Sequence, residues 1–328
     1  MIQSCETLGQ VLWLQAEGID CSGAWLRSSA DPDASFMSSV AEFGVMEPVL
    51  VAQKGDFWTL VSGWKRVSAC AQLKTGVPCV SVQGDDLSLA RIYLQMNRAR
   101  FSSGTQALIW ARNVGRHVPQ EKAEDLWNQE LRPLLSAKEW RALRAWLQVD
   151  PAFDPVLCQG HVPFELGPVL ASLSPEEGRQ LLPLFADMAW SFNKARQVVT
   201  WAAERARRAG GSVQEVCAEC GVWDILNQDL SPKDAQRAVL EHIRAARFPQ
   251  LTRLEQAFAQ AQSQAVGRTS WRILPEQHFE SNGLTLQVRV RSQQEAEQVA
   301  SSLHSVISSL SFTALWNWQD RELDGQNE

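Results

Sequence analysis

The sequence predicts an α+β protein with a mixed N-terminal domain, an all-α middle domain and a small C-terminal module. Three observations predict this class. Strand-like and helix-like runs alternate through residues 1–103, whereas residues 104–247 contain almost no strand-like run. Residues 248–312 change period, because apolar and polar residues alternate strictly from Leu284 to Arg291. A mixed domain, a helical domain and an αββα module follow, with a polar tail over residues 313–328.

Composition sets the broad class of protein. The chain has 328 residues, of which 45% are hydrophobic and 21% charged, which excludes a disordered chain and a small disulfide scaffold. No apolar run approaches the roughly 18 residues of a membrane span, and the N-terminus does not look like a secretory leader. The seven cysteines are scattered. We therefore expect a cytoplasmic protein with free thiols and no membrane partner.

Charge is unevenly distributed along the chain. The formal net charge of −6 divides into −2 for residues 1–103, +1 for residues 104–210 and −5 for the remainder. This balance argues against broad, non-specific coating of DNA, but it leaves room for a local basic face in the middle domain.

The N-terminal domain is predicted element by element. A helix over 35–43 ends at Gly44, and a strand from Pro48 turns at Lys54-Gly55-Asp56 into a returning strand that ends at Val61. A helix over 64–73 is expected to stop at Gly76. A strand over 77–82 and a helix over 87–97 complete the domain.

The middle domain is predicted from helix start signals. Ser136-x-x-Glu139 and Ser174-x-x-Glu177 are capping boxes, and Pro119 and Pro232 mark two further starts. In the C-terminal module we predict helices over 251–264 and 292–310, with strands at 271–274 and 284–291 between them. Two strands and two helices make a thin core, so a second copy of the chain is the expected cover.

The most informative motif lies between a predicted strand and the helix over 64–73. Gly63 lets the backbone approach a ligand, and the unpaired amides at a helix N-terminus favour anions. Lys65 and Arg66 add two cations in the first turn. A phosphate site is one interpretation, and a solvated strand–helix junction is the other. A second polar cluster, Asn97 with Arg98 and Arg100, follows the next predicted helix and either joins this site or faces water.

These segments resemble the N-terminal domain of the ParB family of chromosome and plasmid partition proteins. The run Glu42 to Val51 is similar to the start of that domain, Val61 to Ala69 resembles its glycine-and-arginine segment, and Asn97 to Arg100 resembles the end of its asparagine-containing box. Sulfiredoxin-like domains are more distantly similar. They carry a nucleophilic cysteine in the turn that here reads Ser62-Gly63-Trp64, so a reductase is disfavoured.

The resemblance implies a site for cytidine triphosphate (CTP) with Mg²⁺. Gly63, Lys65 and Arg66 would contact phosphates, and Asn97 and Arg100 would complete the site. This sequence departs from the family pattern at Trp64 and at Met96, where the family has acidic residues. Nucleotide binding without hydrolysis, or with at most weak hydrolysis, is therefore the expectation.

The resemblance extends to the middle and C-terminal domains. The middle domain is similar to the helix-turn-helix domain of ParB proteins, and the best recognition helix is Ala137 to Gln148. Trp140, Leu143 and Leu147 would pack, while Lys138, Arg141 and Arg144 would face a DNA major groove or simply solvent. A second basic cluster, Arg205, Arg207 and Arg208, could contact phosphates or cap a helix.

The C-terminal module is similar to a dimerisation module, which implies a homodimer through residues 248–312. The predicted function is a ParB-like DNA-binding protein, a CTP-dependent clamp in chromosome or plasmid segregation or related regulation.

The sequence is also compatible with two other functions and with a metal site at a cysteine pair. One alternative function is a ParB-shaped interaction protein without nucleotide chemistry. The other is a nuclease or phosphoryl-transfer enzyme whose carboxylates would come from Glu42, Glu47, Asp85 and Asp86. No metal site is predicted from ligand spacing. The pair Cys217-x-x-Cys220 leaves metal binding open, because zinc would need further ligands.

Overall fold

The computed structural model describes residues 8–22, 32–267, 269–276, 283–309, 312–313 and 315. The chain forms two compact units, Met1–Leu240 and Glu241–Glu328. Of the predicted polar tail over residues 313–328, the structure describes Thr313 and Leu315, and Leu315 is buried rather than part of a solvated tail. Within the described ranges, no helix has both the length and the apolar character needed to cross a membrane.

The N-terminal part of the first unit is a five-stranded mixed sheet with three helices. The strands are β1 Leu8–Gln15, β2 Ile19–Asp20, β3 Val49–Lys54, β4 Phe57–Ser62 and β5 Gly76–Val82. Their order is β1-β5-β3-β4-β2, with parallel pairing of β3 with β5 and of β2 with β4. The helices are α1 Ala34–Phe43, α2 Trp64–Leu73 and α3 Asp86–Met96. The sheet interior is apolar, and Val49, Leu60 and Val77 are fully buried.

Local signals place these elements close to their predicted bounds. Asp33 caps α1 through the amide of Phe36, and Gly44 ends α1 with a φ of 70°. One expectation is wrong, because Gly76 does not stop α2. Lys74 ends that helix at a φ of 54°, and Gly76 is the first residue of β5, where a side chain would collide with the Trp13 indole. No strand is predicted before residue 48, and the structure has two there.

The rest of the first unit is helical, as the sequence predicts. Its helices are α4 Gly104–His117, α5 Gln120–Leu126, α6 Ala137–Trp146, α7 Asp154–Cys158, α8 Gly167–Leu170, α9 Pro175–Leu181, α10 Phe192–Ala209, α11 Val213–Glu219, α12 Val222–Leu226 and α13 Pro232–Arg247, the last of which runs past Leu240. Both predicted capping boxes, at α6 and α9, are formed. A chain of ring contacts builds the core from Trp146 through Phe153 and Phe185 to Trp190.

The second unit contains α14 Pro249–Val266, β6 Arg272–Pro275, β7 Leu284–Gln287 and α15 Gln293–Ile307. The helix, strand, strand, helix order agrees with the sequence, and the two strands pair antiparallel from Arg272–Gln287 to Pro275–Leu284. β7 ends four residues earlier than its alternation predicts, because β6 offers only four residues for pairing. Asn282 of the predicted turn lies outside the described residues. The core comprises Phe258, Ala265, Ile273, Val306 and Leu315.

Candidate functional site

The junction between β4 and α2 is shaped by a glycine that no other residue can replace without strain. Gly63 has a φ of 117°, outside the range of L side chains, and a Cβ there would lie 2.6 Å from Cγ1 of Val49. Gly63 accepts hydrogen bonds from the amides of Arg66 and Val67 at 2.9 and 3.2 Å. In the described chain no side chain caps α2, so the amides of Trp64 and Lys65 can donate to a ligand.

Two cations follow in the first turn of α2, but they are used differently. Lys65 is half-buried, and no ion pair holds its ammonium group within the described residues. The Nη1 of Arg66 donates to the carbonyl oxygens of Glu47 and Pro48 at 2.7 and 3.0 Å, and lies 3.6 Å from the carboxylate of Glu47. Arg66 therefore holds the segment before β3 against α2. This structural role is not predicted from the sequence.

The structure brings Asn97 to this junction. Asn97 ends α3, and its Nδ2 donates to Oγ of Ser62 at 3.2 Å and to the carbonyl oxygen of Tyr93 at 2.9 Å. Ser62 is the residue that sequence reasoning missed, although its place directly before Gly63 could have indicated it. The backbone of Arg100 belongs to a 3₁₀ turn over Arg98–Ser102, and its side chain lies outside the described residues.

The predicted recognition helix is α6, and its packing face differs from the predicted one. Leu143 is buried as expected, but Trp140 and Leu147 are only half-buried. Trp146 is fully buried instead, and its Nε1 donates to the carbonyl oxygen of Phe164 at 2.6 Å. The buried face of α6 is therefore turned toward Trp146, away from the predicted face of Trp140 and Leu147. The Phe164 carbonyl oxygen allows this, because it accepts the hydrogen bond that a buried indole N–H needs.

Two of the three cations on α6 face carboxylates from elsewhere in the chain. Lys138 lies 3.5 Å from Glu165, and Arg144 lies 3.8 Å from Glu124. Arg141 is exposed, and no carboxylate pairs with it in the described part of the chain. Exposed ion pairs at such distances are weak and screened by salt, so a polyanion could displace them. The structure leaves all three cations near the surface.

Both ends of α6 are fixed. At the start, the Ser136 hydroxyl and amide donate to the carboxylate of Glu139 and hold its pKa below the ordinary range. At the end, the buried guanidinium of Arg112 donates to the carbonyl oxygens of Trp146 and Val149 and pairs with Asp154 at 2.7 Å. Burial lowers the pKa of Arg112, and Asp154 opposes that shift.

Residues 17–98 match the family model of the ParB N-terminal domain. They belong to the ParB N-terminal domain family. The match contains Ser62, Gly63, Lys65, Arg66 and Asn97, and it confirms the resemblance that the sequence motifs indicate.

A solved structure that is similar to the chain is the C-terminally truncated chromosome-partitioning protein ParB from Caulobacter crescentus complexed with CTP-gamma-S. It is 18% identical over 53% of this chain and 99% of that chain, with a TM-score of 0.25. A TM-score of that size supports no conclusion about this chain. A comparison with the curated proteins found no match.

The carboxylates that an enzyme would need are spread over the ParB N-terminal domain. Asp85 caps the start of α3 by accepting from the Ser88 hydroxyl, which holds its pKa below the ordinary range, and Asp86 pairs with Lys54 at 2.5 Å. Asn97 lies at the other end of this helix, about 16 Å away at 1.5 Å per residue. Glu42 is exposed in the last turn of α1, and Glu47 faces Arg66. Within the described ranges, no three metal-ligating side chains are grouped.

Two further predicted clusters lie outside the ParB N-terminal domain. Arg205 lies 3.9 Å from Glu219, whereas Arg207 and Arg208 are exposed near the end of α10. Cys217 and Cys220 are buried thiols, and burial raises the pKa of Cys217 to about 12. Because burial disfavours the thiolate, Cys217 is a poor nucleophile near neutral pH.

Proposed function

We propose that this chain is a ParB-type DNA-binding protein whose N-terminal domain binds CTP. The observation that carries the proposal is the meeting of Gly63 and Asn97 inside a ParB N-terminal domain. Two segments that the family resemblance assigns to one nucleotide site are 34 positions apart, and the Ser62–Asn97 hydrogen bond joins them. On this proposal the chain acts in chromosome or plasmid segregation or in related regulation.

The residues at the junction suit a triphosphate. The amides of Trp64 and Lys65 and the ammonium group of Lys65 would donate to phosphate oxygens, and the absence of a Cβ at Gly63 lets the backbone come close. Asn97 would hold the loop in place through Ser62. In the paired chains of a dimer, the two N-terminal domains would meet when their sites are filled and so close the dimer around DNA.

Equilibrium binding of labelled CTP with Mg²⁺ tests the site. We expect wild-type protein to bind, with CTP outcompeting the other nucleoside triphosphates, and Lys65→Gln to weaken binding about tenfold, as loss of one charged phosphate contact does. Lys74→Gln, at the other end of the same helix, is the matched control and should bind like wild type. Arg66→Ala should abolish binding, both by removing a cation and by releasing the Glu47–Pro48 segment.

Two results of the binding experiment would contradict the proposed site. If wild-type protein binds no nucleoside triphosphate, even with duplex DNA present, the nucleotide part of the proposal fails. Equal loss of binding in Lys65→Gln and Lys74→Gln would place the nucleotide somewhere other than the junction.

DNA contact is assigned to α6, with Lys138, Arg141 and Arg144 as the contacting residues. Support comes from its exposed cations and from the rigid placement of both helix ends, since a reading helix must be held firmly to select a base sequence. Helix α5 and the turn before α6 would supply the first half of a helix-turn-helix.

A homodimer through residues 248–312 completes the proposal. The two-stranded sheet of the second unit is small, and Leu274 on the face opposite the buried Ile273 is 38% exposed. We expect the full-length protein to sediment as a dimer and Leu274→Lys to shift it toward monomer. Gln294→Lys, at the exposed start of α15, should stay dimeric. A monomeric wild type would contradict the dimer.

A ParB-shaped interaction protein without nucleotide chemistry is the second candidate. The observation that favours it is that the Arg66 guanidinium donates to two backbone carbonyl oxygens and so stabilises the fold. The family resemblance assigns this same guanidinium to phosphate binding. Failure of the binding experiment would leave this candidate in place. A nuclease or phosphoryl-transfer enzyme has less support, because Asp85 and Asp86 lie at the end of α3 away from Asn97.

A further inference from the structure

Helix α3 touches two places that the proposed function needs. At its C-terminal end, Asn97 donates to Ser62 beside the Gly63 site. One turn apart on its side, Arg91 and Gln95 reach a helical turn over Trp127–Leu131 that follows α5 directly. One rigid helix therefore runs between the candidate nucleotide site and the helix pair that is assigned to DNA.

The second contact is a polar junction that uses both oxygens of one carboxylate. Nε of Arg91 lies 3.1 Å from Oε1 of Glu130, and Nε2 of Gln95 donates to Oε2 of Glu130 at 2.7 Å. Nη2 of Arg91 also donates to Oε1 of Gln129 at 3.0 Å. The Glu130 side chain is only 19% exposed, so this charge pair is screened less than an ordinary surface pair.

The turn that carries Glu130 is a π-helix, whose hydrogen bonds enclose one residue more than those of an α-helix. The position of Glu130 against α3 depends on this extra residue. The amide of Arg132 donates to the carbonyl oxygen of Trp127, five residues back instead of four. Trp127 and Leu131 are buried, so Gln129 and Glu130 turn toward α3. A return to α-helical bonding would rotate this stretch by about 100°, one residue's share of a 3.6-residue turn, and would carry Glu130 away from Arg91.

The π-turn leads straight into α6. Leu131 is fully buried, a 3₁₀ turn over Arg132–Leu134 follows, and Ser136 then caps α6. Because the connection is this short, a rotation at Glu130 would change the start of α6. π-turns are rare and are frequent at functional positions, which fits a part that has two arrangements.

We propose that the junction of Arg91, Gln95 and Glu130 couples occupancy of the Gly63 site to the position of α6, with the π-turn as the element that switches. This inference rests on the proposed function, since it names the regulation of the same site. Arg91, Gln95 and Glu130 are positioning residues, because they touch neither the site nor α6 and act through α3 and the π-turn.

Amide hydrogen exchange in the full-length protein tests the coupling. With CTP and Mg²⁺, exchange over residues 127–146 should change about tenfold in wild-type protein, a coupling within the usual range for linked sites. Glu130→Gln should bind CTP within about twofold of wild type and lose this response. Glu121→Gln, an exposed charge removal on α5, is the matched control and should keep it. Arg91→Gln, altered at a half-exposed partner, repeats the test should Glu130→Gln be unstable.

Each outcome decides the proposal. An undiminished response in Glu130→Gln and Arg91→Gln, or an equal loss in Glu121→Gln, overturns the coupling. If wild-type protein binds no CTP, the proposed function fails separately, and Asn97→Ala then supplies the disturbance by removing the bond to Ser62. Asn97→Ala should change exchange over 127–146 when Glu130 is present and should have no effect in the Glu130→Gln background. Equal changes with and without Glu130 overturn the coupling.

Discussion

The N-terminal domain and α6 carry their candidate sites by different physical means. At the Gly63 site, the backbone makes the site, because a left-handed glycine and uncapped amides present the donors. On α6, side chains make the site, and the charge of Lys138 and Arg144 is offset by Glu165 and Glu124 from elsewhere in the chain. The backbone site depends on conformation, whereas the α6 face depends on which carboxylates the fold brings near.

This difference explains how each region tolerates change. A backbone site is lost when one torsion angle becomes inaccessible. A face of exposed cations survives single substitutions and weakens gradually with salt, because its pairs are screened. Substitutions at Arg112, Gly63 and Arg141 test this difference.

The largest effect is expected from Arg112→Met, which removes the buried guanidinium at the end of α6. Two carbonyl oxygens lose their donor and Asp154 loses its ion pair, so the free energy of unfolding should fall by about 3 kcal/mol. Denaturant unfolding measures the change. Arg116→Met, exposed on the same helix, should cost less than about 0.5 kcal/mol. Equal costs would mean that Arg112 does not hold α6.

Gly63→Ala comes next. A Cβ at φ 117° is strained and would press on Val49, so we expect a loss of about 2 kcal/mol together with loss of CTP binding. Gly55→Ala is the matched control, since Gly55 also has a positive φ, 61°, but has open space around it. It should cost about 1 kcal/mol and leave CTP binding intact. Normal CTP binding by Gly63→Ala would mean that the site does not depend on backbone conformation.

The smallest effect is expected from Arg141→Gln. Loss of one phosphate contact should weaken binding to a mixed-sequence duplex several-fold and lower the slope of log affinity against log salt by about 1. Fluorescence anisotropy across a salt series measures both quantities. Arg237→Gln, at an exposed position of α13, should leave the slope unchanged. If the two variants shift the slope equally, DNA contact is not localised on α6, and the cluster of Arg207 and Arg208 becomes the next surface to test.

What the sequence alone determined is local. The bounds of α2, the turn at Gly55, the capping boxes at Ser136 and Ser174, and the Gly63 motif all depend on residues within a few positions of one another. Turn and cap chemistry acts over that range, so a reader of the sequence can find it.

Tertiary structure decided everything that joins distant positions. It closed Ser62 on Asn97, turned Arg66 to the Glu47 and Pro48 carbonyls, and placed Trp146 in the core. It also paired Lys138 with Glu165 and placed Arg112 at the end of α6. These partners are 18 to 37 positions apart. Their meeting depends on how whole helices and strands pack, which no local pattern encodes.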